Sequence, residues 1–272
     1  MISVIVPLYN AENTVETALN SIKAQSIGID EFEVIVINDG STDESEIIVK
    51  DYMIRNPEMN IQILNQKNGG VSNARNTGLK ASSGDYIALL DADDEWLPEK
   101  IEKQLSYLEN DKLGIDFLAT RRNDNKILSP YKVLNNLAEI TFKKLLIRNE
   151  TQPSTVMFKK KVLDNTGYFN DNQRYAEDIN YWMKVALKNK MYILNESLVI
   201  AGGGKRTFGV SGLSANLYEM KNGFQRNLKE MYTLKHISFI QYIGLRFFYK
   251  VKYLVLLCRT FYYDQRNTRN KG

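Results

Sequence analysis

A chain of 272 residues with 43% hydrophobic and 25% charged side chains and five prolines has the material for a buried core, which excludes a disordered, fibrous or low-complexity protein. One cysteine, Cys258, rules out an internal disulfide and fits a reducing compartment, and with a single histidine, His236, it rules out a Cys/His zinc site. The net charge of +4 is split: residues 1–100 carry 17 acidic against 7 basic groups and the remainder 15 against 29, so an acidic part able to hold a metal precedes a basic part able to face phosphates or an anionic membrane, unless these are simply two differently solvated faces.

The N-terminus enters an apolar run directly, with no basic segment ahead of a long apolar one, so no signal peptide is read. Val4-Ile5-Val6 predicts a buried strand, followed by a helix from Thr14 to about Gln25. Val34-Ile-Val-Ile37 predicts a second strand with a helix from Thr42 to Arg55, and Ile61-Gln-Ile-Leu64 a third with a helix from Val71 to Ala81. Tyr86-Ile-Ala-Leu-Leu90 predicts a fourth, and Pro98 marks the start of the next helix. Continuous apolar strands alternating with helices imply a largely parallel sheet covered on both faces, with ligands beyond the carboxyl ends of its strands. From 110 to 150 the pattern is irregular. Thr155-Val-Met-Phe158 predicts a strand, and 177–189 an amphipathic helix with Ile179, Trp182, Met183, Ala186 and Leu187 on one face.

Four segments carry chemistry. Asp91-Ala-Asp93-Asp94 sets three carboxylates within four residues, which repel one another unless a cation compensates. Magnesium and manganese take such oxygen ligands and keep positions for substrate phosphates, whereas the structural alternative is an acidic turn capping the helix near Pro98. Asn38-Asp39-Gly40-Ser41-Thr42-Asp43 reads as a glycine turn with Ser41 or Thr42 as helix cap, or as a site where Asp39 accepts the ring imide of uracil. Gly69-Gly70 before a helix offers backbone N–H groups to an anion, with Lys67 or Arg75 adding charge. Glu177-Asp178 opens a helix, where carboxylates stabilise the dipole or where one takes a proton from a hydroxyl. The absence of Gly-x-Gly-x-x-Gly after the first strand and of a Gly-Lys-Ser/Thr loop argues against dinucleotide oxidoreductases and P-loop enzymes.

In this order the segments Val4-Ile-Val-Pro-Leu-Tyr-Asn10 with Glu12, Asn38–Asp43, Asn68-Gly-Gly with Ser72-Asn-Ala-Arg-Asn76 and Gly78, Gly84-Asp85, Asp91–Asp94 and Glu177-Asp178 resemble glycosyltransferase family 2, the inverting family with the GT-A fold. The resemblance implies an α/β GT-A fold, a mostly parallel twisted sheet with helices on both faces, plus a C-terminal helical tail. It divides the chain into a nucleotide-sugar half at 1–105, an acceptor half at 106–205 and the tail at 206–272. It assigns Pro7, Tyr9 and Glu12 to the nucleoside pocket, Asp39 to the base, Arg75 to the donor phosphates and Asp91 to the ribose or donor sugar. Asp93 would hold a divalent metal, Mn2+ or Mg2+, and Asp178 would be the general base. A Gln-x-x-Arg-Trp motif and several membrane spans, the marks of processive synthases, are absent, so a single addition is expected. Gly202-Gly-Gly-Lys-Arg206 reads either as a basic loop closing over phosphates or as a surface turn.

Residues 231–263 hold ten aromatic and no acidic residues, with Lys235, Arg246, Lys250, Lys252 and Arg259. The longest uncharged run, Ile237–Leu245, is far short of a bilayer span, and the mixture suits a membrane interface or a pair of core helices with snorkelling lysines. Phe247-Phe-Tyr249 and Phe261-Tyr-Tyr263 favour the membrane. More loosely, the tail is similar to those of bacterial family members that extend undecaprenyl-diphosphate-linked saccharides for O-antigen or capsule. The expectation is therefore a cytoplasmic enzyme, peripheral on the inner face of the cell membrane, that moves one hexose from a UDP-sugar to such an acceptor, with no nucleic-acid partner. The rivals are a soluble or protein acceptor, a nucleotidyltransferase of related fold, and a non-catalytic sugar- or lipid-binding scaffold.

Overall fold

Runs of β-branched residues separated by helical stripes become the elements their patterns dictate. β1 (Ile2–Leu8), β2 (Phe32–Asn38), β3 (Ile61–Asn65) and β4 (Tyr86–Leu89) alternate with α1 (Val15–Lys23), α2 (Ser45–Arg55) and α3 (Val71–Ala81). The computed structural model describes residues 1–204 and 213–269, the side chains of 261–269 excepted. These four strands run parallel in the order β3-β2-β1-β4. Val4, Ile5 and Val6 are wholly buried, as consecutive residues must be when both faces of a sheet are covered. Pro7 is tolerated in this central strand because pairing with β4 ends at Ile5 opposite Leu89.

The rest of the sheet is mixed. β5 (Glu95–Trp96), α4 (Lys100–Leu108), β6 (Phe117–Arg122), β7 (Val133–Leu134), β8 (Leu137–Ile140), α5 (Phe142–Leu145), β9 (Val156–Lys159), α6 (Lys160–Thr166), α7 (Glu177–Ala186) and β10 (Met191–Ile200) follow. β9 lies between β4 and β6, antiparallel to both, and β10 runs parallel to β6 but antiparallel to β5 and β8. The order is β3-β2-β1-β4-β9-β6-β10-β8-β7, with helices packed against the sheet. The irregular stretch from 110 to 150 thus contributes three of its strands.

Three helix boundaries differ from their predicted places. α2 begins at Ser45, not Thr42, because the Thr42 N–H donates to Asn10 Oδ1 at 2.9 Å and the Ser41 N–H to Asn38 Oδ1 at 3.0 Å. Neither Ser41 nor Thr42 caps the helix; Asp43 Oδ1 accepts the Ser45 N–H at 3.1 Å instead. α4 begins at Lys100, and no side chain of the acidic turn caps it. α7 ends at Ala186, so Leu187 lies beyond it and is exposed, while Ile179, Trp182 and Met183 are buried. Lys205 and Arg206 of the proposed basic loop, and the side chains of Phe261, Tyr262 and Tyr263, lie outside the described residues.

Packing separates two units, residues 1–172 with 178–204, and residues 173–177 with 205–272. The first contains the sheet. In the second, α8 (Leu217–Thr233) pairs with α9 (Phe239–Arg269), Phe224 stacking on Tyr249 with ring centroids 5.2 Å apart and Tyr232 on Tyr242 at 4.9 Å.

α3 lies flat on β1 and β2 because Gly78 has no side chain there: a Cβ would stand 2.5 Å from Ile5 Cγ2 and 2.6 Å from Ile37 Cδ1. Alanine is the better helix former by about 1 kcal/mol, but overpacking a rigid core costs about 1–3 kcal/mol. Gly78→Ala is therefore expected to lower the denaturant unfolding free energy. An unchanged or higher midpoint would show that the contact is not tight.

Candidate active site

The carboxyl ends of β1 and β2 are tied into one rim. The Asn10 N–H donates to Ser41 Oγ at 3.2 Å, the Ala11 N–H to Ser45 Oγ at 2.8 Å and the Glu12 N–H to Asp43 Oδ2 at 3.1 Å, while the Glu44 N–H returns a bond to Glu12 Oε2 at 3.1 Å. Tyr9 and Glu12 are exposed on this rim, and Pro7 is partly buried at the end of β1. A left-handed Asn10, φ 49°, turns the chain out of the strand.

Asp39 follows β2 and is 3% exposed. Its Oδ1 accepts the Gly69 N–H at 2.8 Å and Gln66 Nε2 at 2.7 Å, and its Oδ2 accepts the Gly70 N–H at 2.8 Å. The anion at the start of α3 is thus an internal one, the carboxylate of Asp39. Arg75 stands one turn into the same helix. Its Nη2 donates to Asp91 Oδ1 at 2.8 Å, and its guanidinium lies 5.6 Å from the Phe169 ring centroid.

The acidic turn after β4 divides its three carboxylates among three fates. Asp91 is paired with Arg75, which supplies the compensating cation from within the protein. Asp94 points inward: its Oδ1 accepts the Gly202 N–H at 2.8 Å, and its Oδ2 accepts Gln152 Nε2 at 3.1 Å and the Ser154 hydroxyl. Burial pushes Asp94 up to about 7, and the nearby charge of Asp91 adds to this. Asp93 is exposed.

Asp178 stands in the first turn of α7. Asn149 Nδ2 donates to its Oδ2 at 3.3 Å, and Asn149 is itself fixed by Thr151, whose N–H and hydroxyl donate to its Oδ1 at 3.0 and 2.6 Å. Burial raises the affinity of Asp178 for a proton; Arg75 and Arg122 lower it and Asp91 raises it further. Asp178 therefore feels the charges of Arg75, Asp91 and Arg122, and Arg122 that of Asp94, so the Asp91–Asp94 turn belongs to the same cluster. Pro7, Tyr9, Glu12 and Asp39 lie on the adjoining strand ends.

Sequence reasoning missed two members. Arg122 ends β6, where burial depresses it while Asp94, Glu150 and Asp178 oppose that loss. Asn149 positions Asp178. Both come from the irregular stretch, and the doublet Arg121-Arg122 closing Phe-Leu-Ala-Thr was the one available signal.

The donor set fits a divalent ion that arrives with phosphates. Among the described residues no three Asp, Glu, His or Cys side chains converge on a metal cage. Magnesium and manganese are commonly held by one or two carboxylates together with water and substrate phosphates, and Asp93 with Asp91 offers that many.

The model of the family described as glycosyl transferase family 2 matches residues 3–169, more than half of the chain. The chain belongs to this family. Its sheet is the mixed α/β sheet of GT-A enzymes, and the chain spans 13% and 28% of the length of the first two curated relatives it matches. UDP-Glc:alpha-D-GlcNAc-diphosphoundecaprenol beta-1,3-glucosyltransferase WfgD of Escherichia coli is 25% identical over 277 residues, covering 98% of this chain and 97% of WfgD. Minor teichoic acid biosynthesis protein GgaB of Bacillus subtilis (strain 168) is 44% identical over 117 residues, 43% of this chain but 13% of GgaB. The crystal structure of S. aureus TarS 1-349 in complex with UDP-GlcNAc superposes with a TM-score of 0.65 at 26% identity, over 85% of this chain and 66% of that one.

The upward shift of Asp94 has a consequence for stability. Its ordinary value is 3.8 and its folded value about 7, so between those pH values the folded protein holds a proton the unfolded chain releases. That contribution is present at low pH and is lost as pH rises through the window. Melting of the metal-free protein from pH 4 to 7 should fall more steeply with pH for the wild type than for Asp94→Asn. Parallel curves would refute the assignment.

Proposed function

We propose that the chain is a metal-dependent inverting hexosyltransferase. It takes a sugar from UDP and adds it, once per acceptor, to a lipid-diphosphate-linked saccharide of a bacterial surface polysaccharide, O-antigen or capsule. The enzyme works from the cytoplasm, peripheral on the inner face of the membrane. The observation that carries the catalytic part is Asp178: a carboxylate pushed up by burial, oriented by Asn149, and electrostatically linked to the acidic rim. Raising a base toward the working pH increases its power to take a proton.

In this reading Pro7, Tyr9 and Glu12 line the nucleoside pocket, and Asp39 reads the uracil imide while holding Gly69 and Gly70. Asp91 contacts the ribose or donor sugar, and Arg75, steadying Asp91, adds positive charge near the phosphates. Asp178 removes the acceptor hydroxyl proton as that oxygen attacks the anomeric carbon from the face opposite the diphosphate. One C–O bond forms, the bond from C1 to the phosphate oxygen breaks, and configuration inverts. A divalent ion held by Asp93, with Asp91 beside it, would supply Lewis-acid stabilisation of the departing UDP. The donor class is supported by the binding of UDP-GlcNAc to TarS, and donor and acceptor by the reaction that WfgD is named for.

α9 supports the membrane assignment. Tyr242, Leu245, Tyr249, Tyr253 and Leu256 form its buried or partly buried stripe, three or four residues apart. Ile240, Ile243, Phe247, Val251 and Leu254 are exposed on the opposite side, Ile240 by 82% and Phe247 by 69%. At 100° per residue, Lys252 and Arg259 flank that apolar stripe on one side and Arg246 and Lys250 on the other. No described helix is long and apolar enough to cross a membrane, so α9 would lie in the interface with its cations at the head groups.

Two results test the proposal. Asp178→Asn should reduce transfer to a synthetic lipid-diphosphate-GlcNAc at least about 100-fold while calorimetric UDP binding stays near wild type, and Asp93→Ala should abolish both transfer and its dependence on added Mn2+. Wild-type turnover by Asp178→Asn ends the base assignment. Separately, Phe247→Glu with Leu254→Glu should abolish flotation with vesicles containing phosphatidylglycerol; undiminished flotation ends the membrane assignment.

A further inference from the structure

A short segment ahead of β9, residues 149–154, touches both the proposed base and the acidic turn, and every part involved belongs to the unit that contains the sheet. Thr151, Pro153 and Ser154 in it are buried, and it enters the sheet through one 3-10 turn, Pro153–Thr155. The turn is stiff. Pro153 fixes its own φ, the Thr155 N–H and hydroxyl donate to the Gln152 carbonyl at 2.9 and 2.7 Å, and the Thr155 carbonyl accepts the buried Gln104 Nε2 at 3.1 Å.

At one end the segment holds the base. Asn149 Nδ2 donates to Asp178 Oδ2 at 3.3 Å and to the Thr151 carbonyl at 2.9 Å, and the Thr151 hydroxyl donates to Asn149 Oδ1 at 2.6 Å. An amide oxygen cannot donate, so a hydroxyl donating to that oxygen keeps the nitrogen of Asn149 turned to the carboxylate. At the other end the segment holds the acidic turn. Ser154 Oγ accepts the Asp91 N–H at 3.0 Å and donates to Asp94 Oδ2, Gln152 Nε2 donates to that same oxygen at 3.1 Å, and the Ser154 carbonyl accepts Trp96 Nε1 at 2.7 Å. Asp93 therefore projects from a turn whose two flanks are fixed by one fully buried serine.

We infer that residues 149–154 are a spacer that fixes the separation between the base and the leaving-group side, with Thr151 and Ser154 as its positioning residues. The inference rests on the reading of Asp178 as the base and of Asp91 and Asp93 as donor and metal ligands. Neither hydroxyl touches substrate. Thr151 acts through Asn149 on Asp178, and Ser154 acts through the Asp91 N–H and Asp94 on the turn that carries Asp93. Removing a partner that orients a metal-binding group costs about 10- to 100-fold in affinity or activity, and misplacing a reacting group by about 1 Å costs up to about 100-fold in rate. The two ends of the spacer thus predict different kinetic changes, whereas a segment that merely supported the fold would alter both quantities together.

The test compares Thr151→Val, which keeps the shape and the N–H donor, with Ser154→Ala, both in the full chain. Thr151→Val is expected to lower kcat about 10-fold or more, with the calorimetric UDP Kd in Mn2+ within about twofold of wild type, and Thr151→Ser should recover most of the loss. Ser154→Ala is expected to raise that Kd, and the Mn2+ concentration for half-maximal UDP binding, about 10-fold or more, with kcat at saturating donor and Mn2+ within about threefold of wild type. Should either variant fail to fold, Thr151→Ala and Gln152→Leu are judged by the same criteria. A wild-type kcat for Thr151→Val, no recovery in Thr151→Ser, a wild-type UDP Kd for Ser154→Ala, or equal losses of kcat and UDP affinity in either overturns the inference. Asp178→Asn and Asp93→Ala run in parallel separate the claims: normal turnover by either refutes the assignment of that carboxylate, and if both are inactive while the two hydroxyl variants match wild type, the spacer fails alone.

Discussion

The site depends on one buried charge pair, Arg75 with Asp91, whose side chains are 3% and 22% exposed. A strand that ends in Asp-Ala-Asp-Asp brings three like charges to one turn, an arrangement unstable in a low-dielectric rim unless each charge is disposed of differently. Arg75 neutralises Asp91 from the neighbouring helix. Asp94 turns inward to three hydrogen-bond donors and, through burial, is held up near 7. Asp93 is left facing outward. The same guanidinium acts on Asp178, where its attraction and that of Arg122 work against burial and against the charge of Asp91. One arginine thus stabilises the rim and moderates how tightly Asp178 holds its proton.

α3 is the part that transmits this arrangement across the sheet. The N–H groups of Gly69 and Gly70 just ahead of it are fixed to Asp39 after β2, its middle presents Arg75 to Asp91 after β4, and beyond its middle it lies on Ile5 and Ile37 through Gly78. Asn76 adds a further anchor, donating to the Phe169 carbonyl at 2.8 Å and accepting the Phe169 N–H at 2.9 Å. Helix and strand ends are therefore one rigid body between the proposed base-reading and leaving-group sides. Asp39 need not be reserved for a ligand to justify its burial, since its two oxygens already satisfy a helix start; reading a base would use the same carboxylate a second time.

The parallel half was legible because short apolar runs of three to five residues, rich in β-branched side chains, alternate with helical stripes, and because Gly69-Gly70 and the turn after Ala81 mark both ends of α3. The site residues were legible as types, since carboxylates crowded at strand ends carry a cost that invites a role. Their partners were not. Asp39 meets Gly69 thirty residues on and Arg75 meets Asp91 across sixteen, and no local period encodes such pairings. Arg122 and Asn149 sit where strands shrink to two, four and six residues, too short for alternation to declare itself. The antiparallel course of β9 also escapes sequence, because Val-Met-Phe is buried on both faces whichever way it runs.

The charge asymmetry of the sequence takes on a different meaning in three dimensions. Ten surplus acidic groups in the first hundred residues resemble a surface waiting for a cation, yet many are already engaged. Glu33 accepts from Ser3, Ser83 and Gly84, Asp43 from Glu12 and Ser45, and Glu46 from Asn38 and Asn65 while pairing with Lys50. Glu33 and Asp43 satisfy backbone N–H groups at opposite ends of the sheet, and Glu46 the side-chain amides of Asn38 and Asn65 that close β2 and β3. The acidic excess is mostly a consequence of the fold, and little of it remains for a metal beyond Asp93 and Asp91. The basic excess is spent otherwise: Arg246, Lys250, Lys252 and Arg259 border an apolar stripe on α9 that its partner helix leaves uncovered. Acids of the first hundred residues are largely engaged within the fold, whereas the bases of α9 border the apolar stripe that α8 leaves uncovered.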